Sequence, residues 1–289
     1  MFYYYPNPGD SYYQPGFQSP PYPNHAWTIS RLYYSNTAEL REKQEPITFV
    51  LIHGSWADSS FWNGVAAFLR KKGHTVYAPE YAGHGADTTK NANHAMMTQS
   101  IVDFIEGNNL NQVVLVGHSF GGTLVQTVAQ AVPDRIKRLV FFDAFILNDG
   151  EMLAEEFPPP VQAAFESLIQ SSKDNSIMLP FPLFRENFTN LASLQQAQQF
   201  YRNVKPEPAT PFHEKLDLKK FYSLTIPRSY LYLTEDNVLP FGSSQYGWHP
   251  HMSNRLGMYR FLQDSGDHFS TTLLDPGKIA RRLYEAGRD

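Results

Sequence analysis

The sequence predicts an α/β fold with a mostly parallel central sheet and helices on both faces. From residue 46 onward, short apolar runs typical of strands alternate with stretches whose apolar residues follow the helical period. Strands that alternate with helices of this length imply right-handed crossovers and parallel pairing. The chain has 289 residues, 42% of them hydrophobic, which is enough for one such core with an insertion.

The predicted elements follow one another in a regular order. Strands are predicted at Thr48–His53, His74–Pro79, Gln112–Val116, Arg138–Phe142, Pro227–Leu233 and Met258–Leu262. Helices are predicted at Phe61–Lys72, His94–Glu106 and Gly121–Val132, and another begins at Asp275. Between residues 148 and 222 the alternation stops, and proline-rich segments separate short helical pieces.

Residues Gly117–Gly121 match the pattern G-x-S-x-G between a predicted strand and a predicted helix. A serine at the apex of a sharp strand-to-helix turn has a strained backbone, and its hydroxyl projects into open space. The neighbouring glycines supply the room that such a turn needs. Ser119 is therefore predicted to be a nucleophile.

Two residues complete a triad in the chain order that this motif requires, which is acid and then histidine. Asp236 and His268 each lie on a loop that follows a later predicted strand. Glu235 and Asp143 are alternatives for the acid. Asp236 is favoured because the orienting carboxylate must reach the far ring nitrogen of the histidine. Asp143 stands in a continuous apolar run and is expected to make a structural hydrogen bond.

The backbone N–H groups of Ser55 and Phe120 are candidates for an oxyanion hole. Ser55 follows the first predicted strand, and Phe120 follows the nucleophile. Ligands of parallel sheets bind at the carboxyl ends of the strands, and the candidate residues all fall at that edge.

These stretches resemble the α/β-hydrolases, in particular the branch of plant methylesterases, hydroxynitrile lyases and bacterial pyrethroid-hydrolase-type esterases. The resemblance rests on Leu51–Trp56, Gly73–Pro79, Gly83–Gly85, Val116–Gly122 and Asp267–Phe269. It implies a hydrolase core over residues 46–147 and 226–289. Residues 148–225 are then a helical cap inserted after the sixth strand, and residues 1–45 are a separate arm.

The resemblance implies an esterase that cleaves a carboxylic ester of a small hydrophobic substrate through Ser119, His268 and Asp236, without a metal or cofactor. Lactonase activity and a non-catalytic ligand-binding role remain alternatives. A hydroxynitrile lyase of this branch has a threonine and a lysine at two positions that are Gly54 and Phe269 here, which disfavours lyase chemistry.

Charge and composition limit the other classes of function. The net charge of −4 argues against nucleic-acid binding, and no apolar run is long enough to predict a transmembrane segment. The absence of cysteine excludes disulfides and a thiolate nucleophile. The two histidines of Trp248–His251 invite a metal site, but no cysteine or carboxylate pattern accompanies them.

Residues 1–45 are rich in Tyr and Pro and have no Lys or Arg before Arg31. They are expected to pack on the domain surface, or to contact an external surface or partner through tyrosines. Trp27–Tyr34 is a candidate edge strand. No signal-peptide pattern is present, so a cytoplasmic location is expected, with surface or spore-coat association as the alternative.

Overall fold

A computed structural model describes residues 45–89, 91–239 and 245–289. Eight strands lie in these residues: β1 (Thr48–Ile52), β2 (Thr75–Tyr77), β3 (Val113–Ser119), β4 (Ile136–Ala144), β5 (Ser176–Ile177), β6 (Glu207–Pro208), β7 (Arg228–Leu233) and β8 (Arg260–Asp264). Six of them form one sheet in the order β2-β1-β3-β4-β7-β8, and all its neighbouring strands are parallel. The predicted parallel sheet is confirmed.

Nine α-helices lie in the same described ranges: α1 (Asn63–Lys71), α2 (His94–Gly107), α3 (Gly121–Ala131), α4 (Pro159–Ser171), α5 (Phe181–Leu183), α6 (Leu194–Tyr201), α7 (Lys219–Ser223), α8 (Ser270–Leu274) and α9 (Pro276–Gly287). Short 3₁₀ turns occupy Ser59–Trp62, Pro133–Arg135, Leu153–Glu156 and Thr210–Phe212, and π-helical turns occupy Phe184–Phe188 and Trp248–Met252. None of these helices has both the length and the apolar character needed to cross a membrane.

Helices cover both faces of the sheet because alternate residues of each strand point to opposite sides. Phe49 and Leu51 of β1 pack in one apolar cluster with residues of α1 and α9. Val50 and Ile52 belong to a second cluster with residues of α2 and α3. The start of α2 is set by a side-chain cap, since the side chain of Asn93 accepts the N–H of Met96.

The segment between β4 and β7 contains the region predicted to be a cap. That prediction placed the cap after the sixth strand, counted as the strands of the family are numbered. Counted from β1, the first described strand of this chain, the segment follows the fourth strand. Its short helices agree with the sequence pattern. The two-stranded antiparallel ribbon β5–β6 was not anticipated, since strands of two residues have no readable period. Residues 1–44, including the candidate strand Trp27–Tyr34, lie outside the described residues.

Helix α3 packs very closely against the strands that surround it. A Cβ added to Gly117 would overlap the carbonyl group of Gly121. A Cβ added to Gly122 would overlap the carbonyl oxygen of Phe145 and lie 2.8 Å from the Cβ of Ala144. The two glycines thus allow the first turn of α3 to lie directly against β3 and the end of β4.

We predict that Gly122→Ala lowers the free energy of unfolding by ~1–3 kcal/mol, because a rigid backbone atom blocks the added methyl group. Gly107→Ala is the matched control, since a Cβ at Gly107 meets nothing within 4 Å. The control is expected to leave stability unchanged or raise it by up to ~1 kcal/mol, the helix preference for alanine. Urea unfolding measures both. Equal stabilities for the two variants would contradict the packing described here.

Candidate active site

Ser119 is the last residue of β3 and has a left-handed backbone, with a φ of 55°. Helix α3 begins two residues later, at Gly121. A residue with a side chain adopts this conformation only at a cost, which the surrounding structure must offset. The strained turn expected for the motif is therefore present, and Ser119 stands at its apex.

Asp236 and His268 are joined by a hydrogen bond in which Nδ1 of the imidazole lies 2.5 Å from Oδ2 of the carboxylate. Asp236 lies just beyond the end of β7, and its Oδ1 accepts the N–H of Val238 at 2.9 Å. Both side chains are about 99% buried, since the exposed fractions of the two residues are 1%. The carboxylate can therefore fix the ring orientation and the tautomer of His268.

Three aromatic side chains surround the imidazole of His268. The Trp248 ring stacks on it at 5.4 Å, and the Phe188 ring meets it edge-on at 5.2 Å. The His118 ring lies 4.5 Å away, and His118 Nε2 bonds the backbone carbonyl of His268 at 2.9 Å. Burial lowers the pKa of His118 well below its ordinary value, so its ring is neutral and Nε2 carries the donated proton.

The alternative acids have other partners. Glu235 accepts the N–H of Gly266 and the hydroxyl of Thr234, so it braces the loop that precedes His268. Asp143 accepts the N–H of Leu233 at 3.0 Å. Among the described residues neither makes a hydrogen bond with His268. The geometry thus joins His268 to Asp236.

Ser119 and Ser55 line one pocket of about 210 Å³. The remainder of its wall is almost entirely apolar and comes from Trp56, Phe145, Leu153, Phe157, Pro160, Val161, Ala164, Phe165, Leu179, Leu183, Phe188, Phe212 and Val238, with Asn187 as the third polar residue. In the part of the chain that the structure describes, no hydrogen bond joins the Ser119 hydroxyl to His268. His268 reaches the end of β3 through its contacts with His118.

The N–H groups of Ser55 and Phe120 donate to no acceptor within the described residues. The Ser55 hydroxyl is also buried without a partner. The loop after β1 lies directly against the nucleophile, since a Cβ on Gly54 would lie 2.6 Å from Ser119 Cβ. Two backbone donors beside a serine hydroxyl are what an oxyanion hole requires.

The loop after β1 is held by the segment between β4 and β7. Trp56 has a φ of 60°, its N–H donates to Glu207 Oε2 at 2.8 Å, and its indole donates to the Ile177 carbonyl at 2.8 Å. Glu207 is fully buried and also bonds His84 Nε2 at 2.9 Å. Burial lowers the pKa of His84, but attraction to Glu207 outweighs it and places this pKa above the ordinary value.

The histidines of Trp248–His251 have protein partners. His249 Nδ1 bonds Ser253 Oγ at 2.7 Å, and His251 Nε2 bonds Glu156 at 3.1 Å. The described ranges contain no group of three or more His, Cys, Asp or Glu residues that could hold a metal ion. Of the residues Trp248–His251, Trp248 contacts the candidate site, since its ring stacks on that of His268.

The sequence did not predict the roles of Glu207 and Trp248 at the site, or the contact of His118 with the His268 backbone. The sequence did contain a signal for Glu207, which is a glutamate within a largely apolar insertion. A charged side chain in such surroundings is buried only with a partner. Local sequence carries no such signal for Trp248 and His118, whose contacts span 20 and 150 positions.

Known proteins resemble this chain over most of the described residues. The profile of the "Alpha/beta hydrolase family" matches residues 49–282. A solved structure described as an extracellular alpha/beta-hydrolase from a Paenibacillus species, with structural and functional homology to tobacco salicylic acid binding protein 2, is 57% identical. It covers 84% of this chain and 100% of that chain, with a TM-score of 0.83.

Two curated relatives carry the names of esterases. A carbendazim hydrolyzing esterase of a Nocardioides species is 34% identical over 144 residues, which are 46% of this chain and 60% of that protein. A putative chloroplastic methylesterase 13 of Arabidopsis thaliana is 26% identical over 212 residues, which are 69% of this chain and 48% of that protein. The chain thus spans about half the length of these curated relatives.

We predict that Glu207→Gln lowers the free energy of unfolding by ~1–3 kcal/mol at pH 6, because it leaves buried partners poorly satisfied. The His84 pKa is raised in the folded state, so its pairing stabilises the fold below its unfolded pKa and is lost as pH rises through the folded pKa. The difference between wild type and variant should therefore be smaller at pH 9 than at pH 6, as measured by urea unfolding.

Glu166→Gln is the matched control, since Glu166 pairs with His213 at 3.2 Å but both side chains are more than 40% exposed. Exposed pairs contribute ~0–1 kcal/mol. A loss of stability in Glu207→Gln that is the same at both pH values would show that the charge of His84 plays no part.

Proposed function

The chain belongs to the alpha/beta hydrolase family, and we propose that it is a serine esterase that cleaves carboxylic esters of small, apolar substrates. Ser119 is the nucleophile, His268 the general base and acid, and Asp236 the orienting carboxylate. The N–H groups of Ser55 and Phe120 form the oxyanion hole. The hydrogen bond from His268 to Asp236, together with the left-handed backbone of Ser119, is the observation that carries this proposal.

The reaction proceeds in two halves. His268 Nε2 takes the proton of Ser119 as the hydroxyl oxygen attacks the ester carbonyl, and the oxyanion is held by the two backbone N–H groups. The tetrahedral intermediate collapses, the alcohol leaves with the proton from His268, and an acyl group remains on Ser119. Water then attacks the acyl group by the same route, which releases the acid and restores the serine.

The pocket supports a small apolar substrate. Its wall is built from aromatic and aliphatic side chains, and about 210 Å³ is small for a ligand pocket. The relatives named as carbendazim hydrolyzing esterase and putative methylesterase are consistent with hydrolysis of small esters or related acyl compounds. We therefore expect short acyl chains and aryl or methyl esters to be preferred.

Two positions disfavour cyanohydrin cleavage. A side chain at Gly54 would have its Cβ only 2.6 Å from Ser119 Cβ, so the hydroxyl-bearing residue of the lyases does not fit there. Phe269 packs its ring against Phe61 at 5.0 Å and Phe184 at 5.3 Å, and it offers no cation to a departing cyanide. A buried anion without a partner costs several kcal/mol.

The proposed cellular setting is separate from the chemistry. A cytoplasmic location stays a prediction, and the Paenibacillus relative is described as extracellular. Fractionation of the source cells into cytoplasm, envelope and medium distinguishes the two locations.

We predict that a fluorophosphonate probe labels Ser119 and that Ser119→Ala abolishes labelling together with at least ~10³-fold of kcat. The substrates are p-nitrophenyl esters of increasing acyl length, an aryl methyl ester, a lactone and a pyrethroid-like ester. Ser167→Ala is the control, since Ser167 is an exposed serine of α4. Full activity of Ser119→Ala would refute the esterase mechanism, and stoichiometric binding without turnover would favour a ligand-binding role.

We predict that the wild-type protein releases no cyanide above background from mandelonitrile or acetone cyanohydrin. Gly54 has no hydroxyl to hold the cyanohydrin oxygen, and Phe269 offers no cation to the departing cyanide. A cyanide electrode measures the release. Cyanide production that depends on Ser119 and His268, combined with no turnover of any ester, would reverse the assignment in favour of a lyase.

A further inference from the structure

We propose that Asp143 is a positioning residue of this site: it is held as an uncharged carboxylic acid and donates a hydrogen bond to Asp236, which fixes that carboxylate for His268. The catalytic part of this inference depends on the proposed function. The protonation of Asp143 does not.

Asp143 is the extra residue of a β-bulge next to the nucleophile. His118 of β3 pairs with Phe142 of β4, and the next residue, Ser119, pairs with Ala144. Asp143 is left without a partner in β3, and its φ is 36°. Bulges re-aim a side chain near active sites, and a residue other than glycine at positive φ signals a local constraint. The irregular backbone therefore serves the orientation of one side chain.

The side chain of Asp143 holds the strand end from which Asp236 extends. Asp143 is fully buried, and its Oδ1 and Oδ2 lie 3.0 and 3.3 Å from the N–H of Leu233, the last residue of β7. The N–H of Asp236 in turn donates to the Leu233 carbonyl at 3.3 Å. A hydrogen bond with the side chain of Asp236 is one of the influences that raise the pKa of Asp143. Leu233 links the two residues, since its N–H donates to the Asp143 carboxyl group and its carbonyl accepts the Asp236 N–H.

Two adjacent carboxyl groups in a buried site cannot both be charged, so one of them carries a proton. Asp236 accepts from two donors, the Val238 N–H and His268 Nδ1, which favour its charged form. Asp143 accepts only from the N–H of Leu233 in the described part of the chain. The proton therefore belongs on Asp143, and among the described residues Asp236 is the acceptor that we assign to it.

Among the described residues, the main influences on the pKa of Asp143 include no positive charge. Burial, and then repulsion by Asp236, raises the pKa of Asp143 well above its ordinary value, and Asp267 acts in the same direction. The other titratable groups that face it are the phenols of Tyr230 and Tyr232, and burial raises the pKa of both, so they carry no charge. An ionised Asp143 would be repelled by Asp236 and Asp267.

A neutral donor on Asp236 has two consequences for the triad. It removes the rotational freedom of the carboxylate, so that Oδ2 stays aimed at His268 Nδ1. It also favours the ionised form of Asp236, because a hydrogen bond to the charged form stabilises it. The proton between the two residues then stays on the imidazole, as the tautomer for general-base catalysis requires.

The variants Asp143→Asn and Asp143→Ala separate the donor from the charge. The amide of Asp143→Asn still donates to Asp236 and still accepts from Leu233, so kcat should stay within about fivefold of wild type. Asp143→Ala lacks the donor, so kcat should fall roughly 10–100-fold while KM stays within about twofold. Losses of this size are typical when the hydrogen-bond partner that orients a functional histidine is removed, as known for metal-binding histidines. Asp143→Leu separates the donor from packing, because leucine fills the site without a hydrogen-bond donor: a role in packing alone would keep kcat near that of Asp143→Asn, and the proposal expects a loss like that of Asp143→Ala.

The pH profile tests the charge. Asp143→Asn exchanges one neutral group for another, so the apparent pKa on the acid limb of kcat/KM should match that of wild type. A clear fall of this pKa would mean that asparagine had removed a negative charge near His268, and it would overturn the proposal. Infrared spectroscopy gives a readout that needs no activity: the C=O band of a buried protonated carboxyl group should be present in wild type and absent in Asp143→Asn.

Ser119→Ala and Asp236→Asn are assayed in parallel, and Asp236→Asn should lose on the order of 10²–10⁴-fold in kcat. If both lose activity while Asp143→Ala keeps wild-type kcat, the positioning role is wrong and the esterase mechanism stands. If wild type turns over no ester, the proposed function fails, and the infrared band still decides the protonation of Asp143. Should Asp143→Ala not fold, the asparagine variant and the infrared band decide alone, and absence of the band in wild type would refute the proposal.

Discussion

The left-handed backbone of Ser119 is the constraint on which the rest of the site depends. It turns the chain from β3 into α3 within two residues, and the serine then lies at the carboxyl edge of the sheet. Such a turn is stable only if the neighbouring chain approaches closely, which explains the contacts that a Cβ on Gly117 or Gly122 would violate. The Ser119 carbonyl accepts the N–H of Phe145 at 3.1 Å, which ties the same turn to the chain that leaves β4.

The segment between β4 and β7 completes the site as well as covering it. It supplies most of the apolar wall of the pocket, and it binds the loop after β1 through Glu207 and the carbonyl of Ile177. Trp56, held at both its backbone and its indole N–H, follows directly after Ser55. The position of one proposed oxyanion donor thus depends on residues about 150 positions away in sequence. In the proposed mechanism, binding of substrate and stabilisation of the oxyanion are therefore coupled through this segment.

The sequence predicted the sheet, its order of elements and the loops that carry Asp236 and His268, because these follow from local periods and a local motif. Boundaries were less accurate, as β8 begins at Arg260 and the predicted strand begins at Met258. The pocket wall could not be predicted, since it is built from side chains brought together by tertiary contacts. The bulge at Asp143 was also beyond local reasoning: the run that contains it is apolar and continuous, and only the register against β3 exposes the extra residue.

The same topology explains why the sequence offered both Asp236 and Asp143 as candidates for the acid that pairs with His268. Strands β4 and β7 are neighbours in the sheet, so a carboxylate within the last residues of β4 or just after β7 reaches the same region of the carboxyl edge. This chain has an aspartate at both places. The hydrogen bonds divide their roles, since His268 pairs with the carboxylate after β7 and the N–H of Leu233 faces the carboxyl group of β4. Burial of both groups then requires one of them to be neutral, and a neutral acid next to an ionised one is a hydrogen-bond donor. Asp143 thus occupies a position from which an acid could pair with His268, and in our proposal it instead orients Asp236, the carboxylate that does.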